Sequence, residues 1–163
     1  MSANANVFAG ANMTLGPAGA AVGSTAKNYA IGTAFNFTVD GRIYSKATVA
    51  NGVTPVVNSE GRPFIGVKPN QRCVFVFGVD KTGAVAVAQG EVIDGAAMAE
   101  TAATAGQYPT LPKTHTPYAA YMVSADPTAA GVWSMGVSNF TGVTGVTTTI
   151  ENLACFPAEP MYV

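Results

Sequence analysis

One histidine, His115, stands in the run GQYPTLPKTHTP, with Ser124 and Asp126 a short way downstream. An imidazole, a hydroxyl and a carboxylate are the parts of an acyl-transfer triad, in which the imidazole takes the hydroxyl's proton and the carboxylate orients the imidazole. Nothing in their spacing fixes such a geometry, and a lone His among Thr and Pro reads as a surface residue. Paired carboxylates would suit glycoside hydrolysis. The 9 acids are scattered singly, and Asp40, Asp80 and Asp126 stand where turn chemistry explains them. No group of His, Cys, Asp or Glu has metal-ligand spacing, so neither a metal nor a cofactor is expected. Gly10, Gly16, Gly19 and Gly23 do not lead from a strand into a helix, as a phosphate cradle requires. Asn12, Asn36 and Asn139 each open an N-x-T triplet. With no secretory leader expected, these read as by-products of a Thr-rich sequence. Trp133, Tyr108, Tyr118 and Tyr121 could line a carbohydrate groove, but strand alternation places such residues in a sandwich core.

The composition points to contact rather than catalysis. Of 163 residues, 48% are hydrophobic and only 10% charged, against about 25% charged in ordinary domains. So sparsely charged a surface is expected to meet other protein. A net charge of −1 gives no footprint for nucleic acid. The charge is uneven: residues 1–81 hold 7 of the 8 Lys and Arg with 3 acids, and residues 82–163 hold Lys113 with 6 acids. Neighbouring subunits could pair these halves. Cys73, inside an apolar run, is expected as a buried free thiol, with a bond to Cys155 left open. No run of 18 apolar residues offers a membrane span.

Strands must position these groups. In TAFNFTVDGRIYSKATVANG, apolar residues alternate on both sides of Asp40-Gly41, which predicts a type I′ hairpin. RCVFVFGVD at 72–80 is apolar on both faces, as a central strand is. The turn DKTG then leads to the strand AVAVAQG at 84–90. Further strands are predicted at 118–125, 132–138 and 145–155, with weaker signals at 53–58 and 62–67. Residues 91–105 alone read as helix, with Asp94 as its cap. The prolines in GQYPTLPKTHTP predict an extended connector, and FPAEPMYV an irregular strap. The sum is an all-β, jelly-roll-like antiparallel sandwich of about eight strands over residues 29–163. Residues 1–28, with Lys27 the one charged side chain, stand apart as an extended N-terminal segment.

The segments FTVDGRIYSKA (37–47), QRCVFVFGVDKTGAVAVAQGE (71–91), YPTLPKTHTPYAAYMV (108–123) and GVTTTIENL (145–153) together resemble structural proteins of tailed bacteriophages. In these, a basic Asp-Gly hairpin precedes a turn-linked strand pair, and an LP connector leads to another strand. The chain departs from the pattern at KTHT and in its uncharged start. The resemblance implies a virion protein on the capsid exterior, made in the host cytoplasm. It implies a decoration or cement protein that binds the major capsid protein and itself. A shell's threefold sites favour a homotrimer. Residues 1–28 then become an arm lying on a neighbour or on the shell, with Val7, Phe8, Met13, Leu15 and Val22 as apolar anchors. A tail or fibre domain binding a host-surface glycan is the alternative, and a small hydrolase a remote one.

Overall fold

The computed structural model describes residues 12–95 and 108–154. Eleven strands run in chain order: β1 (Met13–Thr14), β2 (Ala20–Val22), β3 (Tyr29–Ile31), β4 (Phe35–Val39), β5 (Arg42–Lys46), β6 (Val49–Gly52), β7 (Gln71–Asp80), β8 (Val85–Gln89), β9 (Ile93–Asp94), β10 (His115–Ala125) and β11 (Val146–Asn152). The largest sheet has the order β11-β10-β7-β8, with β9 also pairing β7. Two three-stranded sheets, β1-β4-β5 and β2-β3-β6, complete the sandwich. Every pairing is antiparallel.

The hairpins form where the turn chemistry directs them. Asp40 and Gly41 both take positive φ, 51° and 73°, as a two-residue type I′ turn requires. Val39 then pairs with Arg42 and Phe35 with Lys46. At the second hairpin, Gly83 has φ 84°. The Asp80 carboxylate accepts from Thr82 N (2.8 Å), Thr82 Oγ1 (2.6 Å) and Ala84 N (2.9 Å).

Strand β7 is the spine. Cys73, Phe75, Phe77 and Val79 alternate onto its core face, while Val74 and Val76 face the other way. The core face packs against Tyr29 and Ile31 of β3 and Phe35, Phe37 and Val39 of β4. Leu111, Leu153 and Tyr108 pack against the opposite face. The register of β10 against β7 shifts between Pro117 and Ala119. This bulge puts the ring of Tyr118 in the main core, 5.6 Å from Phe35 and 6.3 Å from Phe77 between ring centroids.

Several sequence expectations change here. Residues 12–28 are not an arm outside the body. Met13 and Thr14 pair with Thr38 and Phe37, Ala20–Val22 pair with β3, and Ala18 is fully buried. Small residues in this segment suit close packing within the chain as well as between chains. Residues 132–138 are not a strand either. Only Trp133 pairs, with Val67, because Gly136 takes φ 74° and Ser138 N closes a turn onto Ser134 O at 2.8 Å. The signals at 53–58 and 62–67 reduce to the single pairs Val57–Pro63 and Val67–Trp133, because Pro55, Pro63, Gly61 and Gly66 break the ladder. The start of the expected helix is strand β9, and its residues 96–105 lie outside the described ones, as does the strap at 156–163. The connector ends sooner than expected, since His115 already pairs with Asp80.

Candidate interaction surface

The strand that carries His115 also separates it from its expected partners. His115 opens β10, Ser124 lies near its far end and Asp126 follows it. At about 3.3 Å per residue the histidine and serine are on the order of 30 Å apart. Asp126 is engaged by Thr128, whose N and Oγ1 donate at 2.7 and 2.6 Å. The Thr128 hydroxyl and backbone bonds hold its carboxyl below the usual range. Burial depresses the pKa of His115, and the nearby Asp80 carboxylate opposes that shift. The three residues are not brought together. Among the described residues, no three His, Cys, Asp or Glu side chains could share a metal ion.

The aromatic residues are core. Trp133, Tyr118 and Tyr121 are buried. Trp133 packs 5.7 Å from both Phe75 and Phe140, and its Nε1 donates to Asn139 O at 2.7 Å. The Tyr121 hydroxyl donates to Ala21 O at 2.7 Å. Tyr108 is half-buried and donates to Glu151 at 2.7 Å. Burial and that carboxylate push its pKa up to about 12. These four rings do not form an exposed platform.

At one end of the sandwich the turns interlock. Asn12 is buried. Its amide donates to Lys113 O and to His115 O (3.3 Å), and its Oδ1 accepts from Asp40 N at 2.9 Å. Thr14 Oγ1 donates to Pro117 O and Thr116 Oγ1 to Thr38 O, both at 2.5 Å. Lys46 Nζ donates to Gly83 O at 2.6 Å. This hairpin end also carries exposed Arg42, Lys81 and Lys113.

The other notable region is apolar. Two loops, 53–67 and 131–138, lie against each other beside β8. Val67 and Trp133 exchange backbone hydrogen bonds at 2.8 Å. Gly66 leaves no room for a Cβ beside Val132, which one would approach to 2.3 Å. Gly136 sits so close to Pro55 O that a Cβ would lie 2.4 Å from it. On this loop flank Val53 (80% exposed), Val56, Val57, Ile65 (68%), Val132 and Val137 (67%) face solvent. Beside them is a cleft of about 310 Å³, lined by Val132, Trp133, Val137, Ser138, Asn139 and Val146 among others. Large exposed patches of this kind mark contact sites.

The sequence reading missed this surface. Its signal was VTPVV and GRPFIGV, apolar residues broken by Pro and Gly so that neither period two nor a helical period gives them a face to bury. Of the expected anchors, Val7 and Phe8 lie outside the described residues. Met13 is half-buried in β1, Val22 packs against the core, and Leu15 is 41% exposed. No protein-family model, no curated protein and no solved structure matches the chain. The fold class is that of an all-β antiparallel sandwich.

Proposed function

We propose that this chain is a structural virion protein that binds and reinforces a bacteriophage capsid shell. The loop flank carries the reading: six branched aliphatic side chains exposed on two interlocked loops. Together they present on the order of 500 Å² of apolar surface, the size of the largest apolar patch on a monomer, which is often a functional contact. Its removal from water is worth about 12 kcal/mol, much of it offset by the cost of association. One such contact is modest, but repetition over a lattice multiplies it. The phage-like motifs add the shell as partner, with the major capsid protein and further copies of this chain as the surfaces met. A glycan-binding role has less support, since Trp133, Tyr118 and Tyr121 are core residues.

Electron cryo-microscopy of intact particles tests this. Density for the sandwich is expected on the capsid exterior at a fixed number of copies. Its absence from particles, or its presence only on tail fibres, overturns the proposal.

A further inference from the structure

The two charged regions differ in whether like can meet like. The hairpin end carries Arg42, Lys46, Lys81 and Lys113 against Asp40 and Asp80, so two such ends repel. On the loop flank, Glu60 and Arg62 occupy the tip between Val57 and Pro63. They have opposite signs and form an exposed ion pair at 3.7 Å. Lys68 follows directly after the first loop.

We propose that the loop flank seats the same flank of a second copy of this chain, about a two-fold axis. The inference rests on the structural reading above and names one of its contacts. Area supports it: about 500 Å² from each copy gives about 1,000 Å² in total, the lower bound for a specific interface. Charge supports it too. A two-fold contact lets Glu60 of one copy face Arg62 of the other, exchanging the one exposed pair within each chain for two pairs between chains. The cleft beside Val132 and Val137 supplies a recess for an aliphatic side chain at the contact. A patch that meets its own copy makes one isologous contact, whereas a ring needs two different complementary patches. A pair therefore takes the place of the trimer that shell symmetry suggested.

Sedimentation equilibrium of the full chain, without shells, is the test. A dimer with a Kd in the micromolar range is expected. Val53→Lys and Val137→Lys, both at exposed positions, should raise that Kd at least tenfold with an unchanged circular dichroism spectrum. Ile43→Lys, 68% exposed at the hairpin end, should change it less than twofold. Glu60→Arg and Arg62→Glu should each weaken self-association a few-fold, and an equimolar mixture of the two should restore it. A chain that stays monomeric at about 100 μM overturns the proposal. So does a dimer untouched by the two lysine variants, or one equally sensitive to Ile43→Lys. A monomer that still coats shells removes the pairing and leaves the structural role. A flank-dependent dimer absent from particles does the reverse.

Discussion

The hairpin end and the loop flank are both turned by Gly and Pro, and they come out opposite. At the hairpin end polar side chains tie the turns: Asp80 holds its own turn, and Asn12 ties Asp40 to Lys113 and His115. On the loop flank the backbone is just as well held, by Val67–Trp133 and by Gly136 against Pro55. Yet six of its aliphatic side chains stand exposed among the described residues. A rigid loop with uncovered aliphatics is what a contact surface needs, because little conformational entropy is lost when it docks. The difference separates turns that close a fold from loops that await a partner.

The comparison breaks most sharply at Trp133, which fastens the flank to the core. Trp133→Ala should cost about 3–5 kcal/mol in urea unfolding, as loss of a buried aromatic does, and should abolish self-association. Gly136→Ala acts next. Its Cβ would meet Pro55 O, and φ 74° is strained for alanine. A loss of about 1–3 kcal/mol is expected, together with weaker association as the two loops part. At the other end, Asn12→Ala strands the Asp40 N–H and two carbonyls. It should cost about 1–3 kcal/mol and leave the dimer Kd unchanged. If Asn12→Ala disturbs association as much as Gly136→Ala, the two regions are not independent.

The smallest effect concerns the core that both regions share. Burial raises the Cys73 thiol from 9.0 to about 11, and the Gln89 amide that donates to its Sγ opposes the shift. The folded chain therefore keeps a proton that the unfolded chain releases. Its stabilising contribution is complete below about pH 9 and lost as pH rises towards about 11. Urea midpoints across that range should fall more steeply for the wild type than for Cys73→Ala.

The parts legible in the sequence are those where local chemistry and tertiary packing agree. Asp40-Gly41 needs positive φ wherever it sits, and Phe35, Phe37 and Val39 alternate because one face of β4 is buried. The apolar run 72–80 announced a strand covered on both sides, which β7 is. VWSMGVS misled because its residue types favour a strand, while a glycine at φ 74° and a partner interrupted by Pro allow a single pair. Met13–Thr14 and Ala20–Val22 were hidden because strands of two and three residues carry no period, and their partners lie elsewhere in the chain. The loop flank was illegible for a related reason: exposure is set by what the rest of the fold fails to cover.

Strand β10 is apolar on both faces from Tyr118 to Val123, so alternation alone would let it slide along β7 by two residues with little loss of burial. The displaced residue at Tyr118 forbids this. A one-residue irregularity has only one matching place on its neighbour, as a notch in a key has one ward in the lock. The longest strand of the sandwich is thereby indexed, and every surface that β10 and its following loop present, including the one offered to a second copy, inherits a defined position from that single defect.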